Sequence, residues 1–144
     1  MEAVNPTPTI YRLGPDDAKV LDHVAPDTFD NPIDARWTAE FLADPRHHMV
    51  VALVEDRVVG MASAVHYVHP DKSPELWVNE VGVSPAYQQQ GIGKKLLQAL
   101  FAHARTLGCQ EAWLGTEQDN TAARRLYHSL DGHESVMMYY TFDL

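Results

Sequence analysis

From Ile92 onward, Leu96, Leu97, Leu100, Phe101, Ala104 and Leu107 recur at three- and four-residue spacing, with Lys94, Lys95, Gln98 and Arg105 between them. That period predicts one amphipathic helix, and Gly108 is a natural stop for it. Ile33, Trp37 and Phe41, four residues apart, predict a second helix ended by Pro45. Residues 9–13 read as a short strand closed by Gly14-Pro15, after which Asp16-Asp17 supply the acidic first turn of a helix through about Val24. The stretch MVVALVEDRVVGMASAVHYV is two β-rich runs joined at Glu55-Asp56-Arg57, which reads as a hairpin. Glu75–Val83 is a mostly apolar run suited to the middle of a sheet. Residues 112–116 then predict a strand, Ala123, Leu126, Tyr127 and Leu130 a short helix, and residues 136–142 a closing strand. Hairpins followed by strand-helix-strand-helix-strand imply a mixed α/β (α+β) sandwich with at least one parallel crossover.

The chain has 144 residues, 45% of them hydrophobic, enough for the core of one domain spanning residues 1–144 with residues 1–8 as a loose tail. No apolar run approaches the about 18 residues of a membrane helix, and the start lacks the basic-then-apolar order of a secretory signal. A soluble, cytoplasmic protein without membrane partners is expected. The lone Cys109 reads as a small buried residue, and no motif around it suggests a nucleophile. A formal charge of -9 argues against nucleic acid and favours a cationic small molecule or basic segment. Eight histidines are scattered without H-x-x-x-H spacing, so no metal is expected.

The candidate chemistry begins where the long helix begins. A strand, then Gly91-Ile92-Gly93, then a helix places free backbone N–H groups and a positive dipole end together, an arrangement that binds phosphate oxygens. A merely tight turn is the bland alternative. A Walker loop is excluded, because Gln88 stands where its first glycine belongs and Lys95 where its hydroxyl belongs. A dinucleotide fingerprint lacks its third glycine, since that position is Leu96.

Gln88-Gln89-Gln90-Gly91-Ile92-Gly93 resembles the Gln/Arg-x-x-Gly-x-Gly/Ala pyrophosphate loop of the GNAT superfamily of acyl-coenzyme A dependent N-acetyltransferases. Glu80-Val81-Gly82-Val83 is similar to that family's fourth strand, and residues 120–127 to its Asn-x-x-Ala-x-x-Leu-Tyr helix. The resemblance covers roughly residues 9–143 and implies a GNAT-like fold, a mixed, mostly antiparallel sheet of six to seven strands flanked by about four helices. YRLGPDD, EVGVSPAYQQQGIGKKLL and VMMYYTFDL look most like the aminoglycoside 3-N-acetyltransferase type I group. One departure follows Tyr127: the family's glycine comes one place late, at Gly132, and its aromatic is absent.

The resemblance implies acetyl-coenzyme A as cosubstrate. Backbone N–H groups of Gln89, Gln90, Gly91, Ile92, Gly93 and Lys94 would hold its pyrophosphate in the loop that Gln88 opens, the Val83 main chain would lie beside the thioester, and Val81 would be a further cofactor contact. The lysines read equally as a solvated helix face. Tyr127 is the implied general acid toward the departing thiolate, with core packing as its alternative, and Asn120 is either a helix cap or an amide contact. An amine acceptor is mostly protonated at neutral pH, so a carboxylate is wanted as base. Glu80, in an otherwise apolar strand, is the candidate, against a structural Glu held by an arginine. Tyr140 and Asp143 are weaker candidates for acceptor contact, and Asp27, Asp30 and Asp34 could line an acidic mouth. The expected reaction is acetyl transfer to a primary amine, foremost a polycationic aminoglycoside at its 3-amino group. A peptide N-terminus, a lysine or a polyamine as acceptor, or a non-catalytic coenzyme A binding regulator, are the other readings. A homodimer is compatible with the family.

Overall fold

The computed structural model describes residues 6–144. Most of the tail expected over residues 1–8 lies outside these, and Pro6, Thr7 and Pro8 have no regular structure. The chain divides into two compact units, one ending at Leu114 and one formed by Gly115–Leu144.

In the first unit β1 (Thr9–Arg12), β2 (His47–Val54), β3 (Arg57–Tyr67), β4 (Glu75–Val83) and β5 (Glu111–Trp113) build one sheet in sequence order. Neighbours β1 to β4 are antiparallel, and β5 joins β4 in parallel. A parallel neighbour needs a crossover, which the helix α2 (Ile92–Thr106) supplies. The β2–β3 hairpin turns on Glu55 and Asp56, both at positive φ (51° and 63°), the geometry of the two-residue turn that matches strand twist. Against one face of the sheet lies α2, whose Ile92, Leu96, Leu97 and Leu100 are fully buried. Against the other, Leu13, Leu21, Met49, Val51 and Met61 form a core with Phe29 and Phe41 packed on it. Helix α1 (Ala35–Ala43) is capped by Asp34, whose carboxylate accepts from the N–H of Arg36 and Trp37.

The second unit holds α3 (Thr121–Ser129), which begins at its cap Asn120. The mixed, mostly antiparallel α/β arrangement is as expected, with five strands and three α-helices among the described residues. No helix among them is long and apolar enough to cross a membrane.

Three expectations need correction. The helix read from Asp16 to Val24 is a short 3-10 turn, Ala18–Asp22. Asp17 does not cap it, because its carboxylate accepts from the Gly14 N–H (2.6 Å) and the Tyr11 hydroxyl (2.7 Å) instead. The strand expected over 112–116 is the three-residue β5. The closing strand expected over 136–142 is not formed: the segment has β-forming side chains but pairs with no described strand, and Val136, Met138, Tyr139, Tyr140 and Phe142 stand exposed.

Three histidines far apart in sequence meet beside the last turns of α2. His48 Nε2 and His66 Nδ1 are 2.7 Å apart, and the His103 ring meets the His48 ring edge-on. Burial, then the charges of His66, His103, Arg12 and His47, hold His48 down at about 4. An unfolded histidine titrates near 6.5. The folded form therefore disfavours the proton, and this stability is full above about 6.5 and lost as pH falls toward 4. Thermal melts between pH 7.5 and 4 are expected to show a Tm decline that is shallower in His48→Leu. Equal slopes would remove His48 from the acid response. Among the described residues no group of three His, Cys, Asp or Glu side chains is placed to hold a metal ion.

Candidate active site

Strand β4 determines where the chemistry sits. Its register against β3 pairs Val78 with Ala64 but Glu80 with Ser63, so Asn79 is an extra, unopposed residue. Side chains alternate along a strand, and one extra residue reverses the phase. Leu76 and Val78 are buried with the α2 face. Glu80, past the bulge, emerges on the opposite face, where it lines a cavity with Leu21, Phe41 and Met49. Without the bulge Glu80 would point beneath α2.

The segment over that face is tied down. Val58 bonds to both His23 O and Ala25 N, the Ser84 hydroxyl donates to Pro26 O (2.7 Å), and the Thr28 hydroxyl donates to Ala25 O (2.8 Å). Gly82 lies directly beneath Thr28, and a Cβ there would overlap the Thr28 carbonyl oxygen. Close approach of two backbones is what requires glycine at this place. The segment thereby presents Phe29, Asp30 and Ile33 to the cavity beside Glu80.

Glu80 is open to solvent on one side and makes no hydrogen bond or ion pair with another described residue. The structural alternative, a buried Glu held by arginine, is therefore not what is formed. Partial desolvation against the cavity wall, then the charge of Asp30, raise its carboxyl above the ordinary value. Of the three aspartates expected at an acidic mouth, Asp30 and Asp34 line the cavity and Asp27 does not.

The end of β4 leads into the glycine loop. β5 pairs only with Glu75, Leu76 and Trp77, so among the described strands Val78 to Val83 have β3 alone as neighbour. Ser84 N–H donates to Val59 O on β3. Backbone groups alternate in direction along a strand, so Val81 and Val83 turn theirs to the unpaired edge. Gln88 folds back and donates from its side-chain amide to Val83 O (3.0 Å). Gln89 and Gly91 both take positive φ (62° and 77°), which curls the backbone into the first turn of α2. No side chain caps that turn. The N–H groups of Gln89, Gln90, Gly91, Ile92, Gly93 and Lys94 donate to no described protein atom. Six backbone donors without a described acceptor, gathered about a helix N-terminus, are the kind of group that can bind the oxygens of a diphosphate. The helices α1 and α3, in contrast, have side-chain caps.

In the second unit, Asn120 Oδ1 accepts from Ala123 N–H (3.2 Å), so the cap reading is realised and only its amide NH2 remains available. Tyr127 is half-buried, and burial pushes its phenol up. The late glycine is accommodated by Asp131, which takes positive φ (63°) so that Gly132 N–H closes onto Tyr127 O (3.0 Å). Arg124 holds Glu134 through two bonds (2.7 and 3.0 Å), fixing the segment after the helix. Tyr140 and Asp143 lie in the exposed, irregular end of the chain, bonded to no described residue.

The model of the acetyltransferase (GNAT) family matches residues 17–131. The chain belongs to the GNAT acetyltransferase family. Among GNAT relatives, mycothiol acetyltransferase of Saccharopolyspora erythraea is 36% identical over 90 residues, 61% of this chain and 28% of that protein. The chain thus spans little more than a quarter of that relative's length. An uncharacterised N-acetyltransferase of Mycobacterium tuberculosis is 32% identical over 108 residues, 72% of this chain and 67% of that protein. Among solved structures, an aminoglycoside acetyltransferase from an uncultured soil metagenomic sample, in complex with sisomicin, superposes with TM-score 0.76 at 22% identity. It covers 95% of this chain and 97% of that one, a likeness of fold.

Sequence reasoning located Glu80 and the GNAT loop but missed Phe29, Ile33 and Trp37 as its neighbours. The four-residue spacing of Ile33, Trp37 and Phe41 predicts a helix, which forms over Ala35–Ala43 with Ile33 ahead of it and Trp37 64% exposed.

Proposed function

We propose that the protein transfers the acetyl group of acetyl-coenzyme A to a primary amine by direct attack. The observation that carries this reading is that β4 delivers a partly desolvated, unpaired carboxylate to a cavity and then runs into an uncapped donor loop. Acetyl-coenzyme A, when bound, supplies an activated thioester. The six free N–H groups from Gln89 to Lys94 hold its pyrophosphate, and the unpaired edge of Val81 and Val83 receives the arm. Glu80 accepts a proton from the incoming ammonium, directly or through water, which frees the nitrogen lone pair. The C–N bond forms, the C–S bond breaks, the nitrogen gives its second proton to water as the amide forms, and the thiolate takes a proton from a donor that solvent reprotonates. Tyr127 is the proposed donor. Burial keeps its phenol protonated through neutral pH, although delivery to a thiol of ordinary pKa about 8.5 is uphill. The Asn120 amide NH2 is proposed as an additional contact.

Asp30 beside Glu80 supports a cationic acceptor, with an aminoglycoside as one member of that class and a peptide N-terminus, lysine or polyamine as others. The test is release of free thiol from acetyl-coenzyme A in the presence of gentamicin-type amines, polyamines and short peptides. Acceleration by any of them supports the reading. Coenzyme A binding without acceleration by any amine would sink it and leave a binding module. Tyr127→Phe is expected to lower kcat by about 100-fold, the low end for a general acid because the transfer is uphill, with coenzyme A affinity kept within about twofold. Unchanged kcat would remove Tyr127 from the acid role.

A further inference from the structure

The cavity beside Glu80 is narrower in its chemistry than an acidic mouth for a polycation. Its wall is mostly apolar, with Leu21, Phe29, Ile33, Trp37, Phe41 and Met49, and besides the carboxylates its polar members are Asn31 and Thr38, whose hydroxyl already donates to Asp34 O (2.9 Å). Of its carboxylates, Asp34 is committed, since Oδ1 accepts from the N–H of Arg36 (2.9 Å) and Trp37 (3.1 Å) to cap α1. Two carboxylates, Asp30 and Glu80, remain for a ligand, and they are close enough that the charge of one raises the other. The space measures about 210 Å³ and opens to solvent past Trp37 and Ile33, so it seats one side-chain-sized group of a ligand whose remainder lies outside. Trp37 offers a large ring at its edge, with the Arg36 guanidinium 5.4 Å from the ring centroid.

Resting on the acetyl-transfer reading above, we infer that the preferred acceptor is a primary amine whose carbon skeleton carries a compact apolar group, an alkyl or aryl side chain. That group fills the space between Trp37 and Met49 while the ammonium lies against Glu80 and Asp30. A polyhydroxylated aminosugar has more hydroxyls than Asn31, Thr38 and the carboxylates can bond, and those set against Leu21, Phe29 and Phe41 would be penalised as unpaired. A linear polyamine would place further charges on the same apolar wall. The fitting chemistry has two sources, a free aryl- or alkylamine and the first residue of a peptide.

Both sources are tested by kcat/KM from thiol release. Phenethylamine is set against ethylamine, the amide of Phe-Ala-Ala against that of Ser-Ala-Ala, and all four against spermidine and kanamycin. The apolar member of at least one pair is expected to exceed its counterpart and both polycations by at least about tenfold, the usual worth of a filled apolar pocket. Which pair responds identifies the source. Trp37→Ala, at an exposed position that folding does not depend on, is expected to reduce that ratio by about tenfold, chiefly through KM. Spermidine or kanamycin performing as well as the apolar amines would overturn the inference and leave acetyl transfer standing. If no amine is acetylated, calorimetric titration with phenethylamine decides. Binding that Trp37→Ala abolishes would support the cavity's ligand class while sinking the transfer reading, and no binding would overturn both.

Discussion

Glu80→Gln is expected to lower kcat/KM for the amine by about 10² to 10⁴-fold at neutral pH, the usual contribution of a positioned general base, with coenzyme A affinity within about twofold. The pH profile carries the sharper evidence. A base works deprotonated, so activity falls as pH drops through the pKa of Glu80 in the folded protein. Desolvation first, then Asp30, raise that pKa above its ordinary value, so the acid limb lies higher than an ordinary carboxylate would place it. In Glu80→Gln that limb is expected to vanish, and in Asp30→Asn to move down, because the repelling charge is gone. Stability runs the other way. A carboxyl whose folded pKa is raised stabilises the fold below its unfolded pKa and loses that contribution as pH rises through the folded value. At neutral pH the neutral Gln is therefore expected to leave Tm equal or higher. A Tm that falls by several degrees along with activity would assign Glu80 to structure. Activity retained within twofold, with the acid limb intact, would remove it from proton transfer.

Elements whose signal is local were legible. Helix α2 carries its apolar face at a constant period, and β4 occupies Glu75–Val83, the limits of its apolar run. The hairpin was legible as two β-rich runs around Glu55-Asp56. What the chain does not write locally is phase and partner. The bulge at Asn79 exists only in the register with β3, and an apolar strand covered on both faces shows no alternation that would betray it. Residues 23–34 have no period at all. They are placed by bonds such as Ser84 Oγ to Pro26 O, 58 positions apart, so Asp30 and Phe29 could not be assigned to Glu80 from sequence. Residues 136–142 failed for the converse reason: their β propensity is local, but a strand needs an edge to pair with. Of the weak candidates at the sequence level, Tyr140 falls in that same segment and Asp143 directly follows it. Asn120 was read both ways, and its oxygen is taken by the cap.

Gly82→Ala is expected to cost stability and acceptor binding together, because one residue connects the catalytic strand to the segment that covers it. Its new Cβ would collide with the Thr28 carbonyl, a backbone atom that cannot swing aside as a side-chain end can. Thr28 is 4% exposed, and both its hydroxyl and that of Ser84 are bonded within the segment, so retreat breaks buried hydrogen bonds. Overpacking of this kind costs about 1–3 kcal/mol. For a chain of this size that is on the order of 5–10 °C in Tm. Relief by shifting the segment carries Phe29 and Asp30 away from Glu80. Acceptor KM is then expected to rise by about tenfold, and the acid limb of kcat/KM to move down as Asp30's charge recedes. The glycine loop before α2 lies on the other side of the strand's end, where Val83 faces Gly60 and Gly60 faces Ile92 and Leu96, so coenzyme A affinity is expected to change by less than about twofold. Calorimetry with coenzyme A, melting curves and initial rates on the one variant separate these effects. A variant with wild-type Tm and acceptor KM would show that residues 23–34 do not bear on Gly82, and with that the covered cavity beside Glu80 would lose its support.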